Sequence, residues 1–272
     1  MNYLQFDFET EEVDQMDQLV ALLNDQGFEG FEEENNCLKA YIAENKFDAP
    51  GFSSVLDRFS HISYTQTTVE HINWNKKWEE EFKPVLVDNF VGIRAGFHHP
   101  LKNVEHEIII TPKMSFGTGH HATTYLMISQ MQSIDFKGKT VLDFGTGTGV
   151  LAILAEKSGA EKILAIDYDE WSITNTKENI DANGCFIIDV QTMEAVPALK
   201  FDIILANINL NVIMGNLNAI KNASNPAATI LLSGFLKDNE EVMKSSLHEV
   251  GLEYLSTAQK GDWIAILAKN SA

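Results

Sequence analysis

The stretch richest in chemistry runs from Thr140 to Asp169, TVLDFGTGTGVLAILAEKSGAEKILAIDYD. A short apolar run meets Gly145, Gly147 and Gly149, where the chain can turn in places no Cβ would fit. A helical pattern follows, with Leu151, Leu154 and Ala155 on one face and Gly159 suited to its end. Lys162 to Ile166 reads as a second strand closing on Asp167. Strand, glycine turn, helix and acid-tipped strand make the first half of a nucleotide-binding βαβ unit. Such a turn is expected to set backbone N–H groups beside a ligand, and Asp167 can accept both hydroxyls of a ribose.

The spacing separates candidate ligands. A dinucleotide fingerprint, G-x-G-x-x-G, opens on a pyrophosphate. Here the third glycine comes one residue early, and Asp143 stands two residues before the first. A carboxylate so placed is an awkward neighbour for a pyrophosphate and suits a ligand carrying an ammonium or a sulfonium, which points to S-adenosylmethionine. A nicotinamide-dependent oxidoreductase is disfavoured on the same ground. The plain alternative is a glycine-rich turn that binds nothing.

Two further stretches bear on such a site. The loop MSFGTGHHATT, residues 114–124, carries a second glycine pair, Gly117 and Gly119, which argues for close backbone approach. Thr123 and Thr124 open a helix running to about Gln132, and their hydroxyls could cap it or reach a ligand. His120 and His121, with His98, His99 and His106, lack the spacing of a metal site, so no metal is expected. Asn207-Ile208-Asn209-Leu210 follows a strand, Phe201 to Ala206, at its carboxyl edge, where ligands bind in open α/β sheets. Methyl transfer from a sulfonium is an in-line displacement that needs a neutral nucleophile held in line. The Asn207 amide can orient an amine's lone pair and is the candidate catalytic residue. Methyltransferases of glutamine or adenine clamp a planar group with Asn/Asp-Pro-Pro-aromatic, and this stretch has neither the prolines nor the aromatic.

The elements that must position these residues are legible by pattern. Residues 3–9 alternate as a strand, Asp14 is a candidate N-cap, and a helical stripe of Met16, Leu19, Val20 and Leu23 ends at Gly27. Phe28 to Ala43 reads as a hairpin turning at Asn35-Asn36. Pro50 opens a second helix, and Ile62 to Val69 is a final strand. The order β-α-β-β-α-β is ferredoxin-like. Residues 71–83, with Trp74 and Trp78, read as a connector helix. Two or three strands lie in residues 85–111. Beyond Asp167 the reading is a helix over Glu170 to Asn183, a strand over Cys185 to Val190, a strand over Thr229 to Ser233, and a helix over Lys237 to Val250. A closing hairpin turns at Lys260-Gly261. The expected boundaries are a module over 1–64, a connector over 65–83 and a catalytic domain over 84–272.

Composition narrows the partners. The chain of 272 residues has a formal charge of −19, so free nucleic acid is not an expected partner. Residues 1–64 hold 14 Asp and Glu against Lys39, Lys46 and Arg58, an imbalance that would steer a basic partner. Solubility alone is the plain alternative. No apolar run approaches the roughly 18 residues of a membrane span. The first residues lack the pattern of a signal peptide. Cys37 and Cys185 lie far apart without motif context, as suits reduced thiols in the cytoplasm.

The segments ITPKMSFGTGHHATT, TVLDFGTGTG, AIDYD, LANIN, LLSGF and GDWIAILAK resemble the bacterial lysine methyltransferases that act on large-subunit ribosomal protein eleven. The resemblance covers nearly all of residues 70–272, and the acidic module in front is similar to that family's substrate-recognition domain. It implies an α/β, Rossmann-like S-adenosylmethionine-dependent methyltransferase with a seven-stranded sheet behind a small ferredoxin-like α+β domain. Cofactor contacts carry over to Thr124, Gly145, Asp167 and Asn207, and the surrounding candidates are Phe116, Gly117, Gly119, Asp143 and Gly147. The implied substrate is a basic ribosomal protein, methylated on lysine ε-amines, with its α-amine left open as a further target, by a cytoplasmic monomer. Where the family loop commonly reads F-G-T-G-T-H-P-T-T, this chain has His120 and Ala122. Where the asparagine motif commonly continues Ile-Leu, it has Ile208-Asn209. A non-catalytic S-adenosylmethionine-binding module, or a methyltransferase of another amine, is the competing reading.

Overall fold

The computed structural model describes residues 2–9, 13–34, 37–59, 62–69, 82–113 and 115–271, in two compact units divided between Glu81 and Phe82. In the first unit, strands β1 (Tyr3–Glu9), β2 (Gly30–Glu34), β3 (Cys37–Ala43) and β4 (Ser63–Val69) form one sheet in the order β2-β3-β1-β4. Every pairing in it is antiparallel. Helices α1 (Val13–Asp25) and α2 (Ala49–Leu56) complete the expected β-α-β-β-α-β order.

Alternation along β1 buries Leu4, Phe6 and Phe8 on one face. These meet Leu38, Ala40 and Ile42 of β3 and the helix residues Leu19, Leu23 and Phe52, with Phe6 and Phe52 ring centroids 4.6 Å apart. Asp48 caps α2 by accepting from the Gly51 amide at 3.2 Å, with Pro50 in the first turn. Asp14 lies inside the first turn of α1 and is not its cap. β4 runs to Val69 in register with β1, beyond the expected boundary at residue 64. The Asn35-Asn36 turn lies outside the described residues. So does the connector helix with Trp74 and Trp78, except at Phe82 and Lys83, which are not helical.

The second unit opens with a three-stranded sheet, β5 (Val85–Val87), β6 (Val91–Ala95) and β7 (His106–Ile110). Then come α3 (Ala122–Met131), β8 (Thr140–Phe144), α4 (Val150–Lys157), β9 (Lys162–Asp167), α5 (Glu170–Asn183), β10 (Ile188–Thr192), β11 (Phe201–Asn207), α6 (Leu210–Ala223), β12 (Ser224–Leu236), α7 (Glu240–Glu249), β13 (Glu253–Lys260) and β14 (Trp263–Lys269). The seven strands β8 to β14 lie in the order β10-β9-β8-β11-β12-β14-β13. β14 runs antiparallel to both neighbours, and the other pairings are parallel. The strands of the sheet centre are buried on both faces, as a helix-covered parallel sheet requires. One apolar layer gathers α3 and α4, the other α6 and α7. No helix among the described residues is long and apolar enough to cross a membrane.

Local chemistry sets the ends. β10 starts at Ile188 and not at Cys185, because the Cys185 amide closes α5 on the Ile180 carbonyl. The Phe186 and Ile187 amides bond the Glu156 carboxylate. A 3-10 turn, Lys237–Asn239, occupies the expected start of α7. β12 carries an irregularity between Ser233 and Phe235. Gly234 sits there at φ +100°, and a Cβ on it would lie 2.1 Å from the Ile208 carbonyl oxygen. The bulge thus brings β12 backbone against the asparagine segment. Gly234→Ala is expected to destabilise the unit by at least about 2 kcal/mol, from left-handed strain together with the backbone clash. The urea midpoint measures it. Wild-type stability would mean that the two strands part freely.

Candidate active site

A cleft of about 630 Å³ opens at the carboxyl ends of β8 to β12. Its wall takes Phe144, Gly145 and Gly147 from β8 and its turn, Asp167 to Asp169 from β9, Met193 and Glu194 from β10, Asn207 to Asn209 from β11 and Gly234 from β12. Ser115, Phe116, His121, Thr123 and Trp263 close the other side.

The glycine turn works by shape. Gly145 and Gly147 have φ of +78° and +57°. A Cβ on Gly145 would meet Ile208 at 2.1 Å, and one on Gly147 would meet the Phe116 carbonyl at 2.3 Å. The expected row of ligand-facing amides is not what the turn presents. Gly145 and Thr146 both donate to the Ile166 carbonyl, Gly147 to Asp167 Oδ2 at 3.0 Å, Thr148 to the Phe116 carbonyl and Gly149 to Thr146. Each amide from Gly145 to Gly149 therefore has its acceptor within the protein. A pyrophosphate needs such donors; a cationic nucleoside needs space and acceptors, which this cleft supplies.

Asp167 lines the cleft at 8% exposure, with Oδ1 accepting from the Asp169 amide at 3.1 Å. Each carboxylate oxygen has lone-pair capacity beyond its one backbone donor. Asn207 is likewise 8% exposed. Its Nδ2 donates to Thr124 Oγ1 at 3.4 Å, and its Oδ1 is buried with no partner among the described residues. A buried acceptor left unmatched is costly, so this atom fits a bound N–H. Phe116, half exposed at the rim, packs edge-on to His121 (5.1 Å between centroids), and His121 packs on Trp263 (4.5 Å).

Four expected site residues stand behind the wall. Thr124 is fully buried beneath Asn207. Gly117 gives its carbonyl to the Thr148 hydroxyl at 2.8 Å, which fastens the loop to the glycine turn. Gly119, at φ +91°, stands where a Cβ would lie 2.6 Å from Ile93 and 3.4 Å from Val85. Asp143 is completely enclosed, because it points from β8 into the packing under the turn. The cap of α3 is His121 and neither threonine. Its Nδ1 accepts from the Thr123 amide and lies 2.8 Å from the Thr123 hydroxyl. Asn209, the departure in the asparagine motif, caps α6 by accepting from Val212 at 3.1 Å.

Sequence reasoning assigns no role to Met193, Glu194, Gly234 or Trp263. Their signal is position: Met193 and Glu194 follow a strand, Trp263 opens one and Gly234 sits at a strand bulge, and the last two lie in the quoted segments GDWIAILAK and LLSGF. A polar stripe on α5 escapes that reasoning altogether. Thr176 Oγ1 donates to the Gly147 carbonyl and Asn179 Nδ2 to the Thr148 carbonyl. Asn179 Oδ1 accepts from the Thr111 amide, so α5 clamps the turn from behind.

Comparison with known proteins places this geometry in context. The family model described as ribosomal protein L11 methyltransferase matches residues 6–271. A ribosomal protein L11 methyltransferase of Porphyromonas gingivalis is 37% identical, over 98% of this chain and 97% of its own. One from Phocaeicola vulgatus is 36% identical, over 98% of each. The crystal structure of a ribosomal protein L11 methylase from Lactobacillus delbrueckii subsp. bulgaricus aligns with a TM-score of 0.65 at 26% identity, covering 70% of this chain and all of the other.

Burial pushes the Asp143 carboxyl up to about 7, and the Asp167 charge adds to it. The Thr146 hydroxyl, at 2.6 Å, and the Ala152 amide act in the opposite sense. The folded chain therefore holds this proton more tightly than the unfolded one. The resulting stability is complete below the ordinary aspartate pKa of about 3.9 and is lost as pH rises through about 7. Asp143→Asn should flatten this fall in unfolding free energy, measured in urea at steps between pH 4 and 8. A variant that tracks wild type throughout would show that Asp143 ionises as it does in the unfolded chain.

Proposed function

The chain belongs to the ribosomal protein L11 methyltransferase family, and we propose that it methylates lysine ε-amines of that ribosomal protein, with Asn207 holding the amine. It is an S-adenosylmethionine-dependent methyltransferase. The observation that carries the residue assignment is the buried, unpartnered Asn207 Oδ1 at the cleft edge.

The site fits the cofactor. Gly145 and Gly147 line the cleft that would admit it, and the spare lone pairs of Asp167 would receive its ribose hydroxyls. When bound, S-adenosylmethionine supplies an electrophilic methyl group. The chain's residues do the rest. A lysine ammonium, with an ordinary pKa of about 10.4, must lose its proton before it can attack. Enclosure beside Phe144, Ile208 and Phe116 favours the neutral amine. Asn207 Oδ1 accepts one amine N–H and so turns the lone pair toward the reacting carbon, while Thr124 fixes the amide's other end. Phe116, His121 and Trp263 present ring surface to the alkyl stem of the incoming side chain. Thr124, Gly117, Gly119 and Asp143 serve from behind, by holding Asn207, the loop and the turn. The acidic first unit suits a basic protein substrate. A cytoplasmic monomer is the state that the family resemblance implies for this reading.

Mass spectrometry after incubating the protein and S-adenosylmethionine with unmethylated ribosomes and free ribosomal proteins tests the activity. Methyl-sized increments on lysines of L11 are expected. Increments elsewhere, or none, would refute the substrate. Two substitutions test the residues. Asp167→Ala should weaken cofactor binding by roughly 1.5–3 kcal/mol, as loss of a charged acceptor does, and unchanged affinity by calorimetry would remove it as ribose ligand. Asn207→Ala should lower turnover more than cofactor affinity, and the reverse pattern would mean that Asn207 serves the cofactor.

A further inference from the structure

The loop bearing Phe116 and His121 meets the chain again at the start of the second unit, and His120 makes that junction. Its Nε2 donates to the Lys83 carbonyl at 2.9 Å, and its Nδ1 lies 3.1 Å from the Thr118 hydroxyl. A carbonyl only accepts, so Nε2 carries the proton and Nδ1 accepts from Thr118 in the neutral ring. The ring also packs edge-on to Phe82, with centroids 4.7 Å apart. Phe82 stacks on His98, whose Nδ1 accepts from the Ala95 amide and whose carbonyl accepts from Arg94. Arg94 forks onto Glu107 through two hydrogen bonds of 2.9 and 3.0 Å. The contact at His120 is thus rooted in the three-stranded sheet. Just before it in the chain, Gly117 is tied to Thr148, and Gly119 has no room for a Cβ against Ile93. A threonine at 120, as in the common loop pattern, has one short hydroxyl and cannot span both partners.

We propose that His120 is a positioning residue: by bridging Thr118 to the Lys83 carbonyl it fixes loop 115–121, and with it the acceptor-side walls Phe116 and His121. His120 itself touches neither Asp167 nor the glycine turn, and the loop keeps its own ties to that turn through the Phe116 and Gly117 carbonyls on Thr148, so the effect of losing His120 falls on the amine side of the cleft. The kinetic consequence rests on the methyltransferase reading; the structural one does not.

The test uses the full chain with His120→Ala and His120→Gln, the latter keeping one donor and one acceptor. Amide hydrogen exchange read by mass spectrometry should show loop 115–121 exchanging about tenfold faster in His120→Ala, as loss of one anchoring hydrogen bond allows, with β8 and β9 unchanged. Cofactor affinity by calorimetry should stay within about twofold while kcat/KM for the ribosomal protein falls about tenfold, and His120→Gln should recover most of both losses. Unaltered loop exchange, acceleration spread equally through β8 and β9, or a matching loss of cofactor affinity overturns the proposal. If the wild-type protein transfers no methyl group, the functional reading fails, while the exchange measurement still decides for or against His120.

Discussion

The constraint on which the second unit depends is the internal bonding of its glycine turn. Five consecutive amides, Gly145 to Gly149, find acceptors on β9, on Phe116 and within the turn itself. A turn bonded this way is held in shape by the protein itself, and its glycines let Ile208 and the Phe116 carbonyl pack where a Cβ would stand. The same bonds settle which elements must be adjacent. β9 must pair with β8 to bring the Ile166 carbonyl and Asp167 alongside, and the loop before α3 must fold over the turn to bring Phe116. Asp167 therefore has two duties, one toward the Gly147 amide and one toward the cleft.

The polar stripe of α5 follows from that arrangement. The carbonyls of Gly147 and Thr148 are buried, and buried backbone groups must be paired; both backbone groups of Thr111 come within reach of the same helix face. Thr176, Asn179 and Asn175 supply the partners, and Asn183 extends the stripe to Ile109 of β7. Spaced at one and two turns, they hold one buried face of the helix. An apolar face there would pack as well but would leave four backbone groups unmatched.

The same distinction between local and distant partners decides what pattern alone reveals. β8, its turn, α4 and β9 are legible because each is defined by neighbours in sequence: apolar runs, glycines that permit positive φ, a helical stripe and an acidic end. α5 is legible to the residue, from Glu170 to Asn183, although the reason for its polar face is not. The closing hairpin and the ferredoxin-like order are legible for the same local reasons. Features set by distant partners are not. Asp143 reads as a ligand-facing acid until β8 is seen to point it inward. Gly234 has no assigned role until the Ile208 carbonyl oxygen is found 2.1 Å from where its Cβ would be. Trp263 belongs to the cleft through a strand far along the chain, and pattern alone does not say which strand ends converge.

The cleft also limits what it can select. Its groups suit a nucleoside-bearing cation and one amine reached past aromatic rings, and every lysine side chain meets that description. Discrimination among proteins must therefore come from surface beyond the cleft. The first unit has the build for that role. Phe6, Phe8, Phe28 and Phe52 hold its core, which leaves the outer sheet face free to be polar. On that face Asp7 pairs across strands with Lys39, which also opposes Glu32, so acid outnumbers base in the row. A surface of that sign shortens the search for a basic protein without fixing which of its amines enters. On the proposed reading, choice of protein is then a matter of surface charge beyond the cleft, while the cleft walls hold whichever lysine amine reaches them.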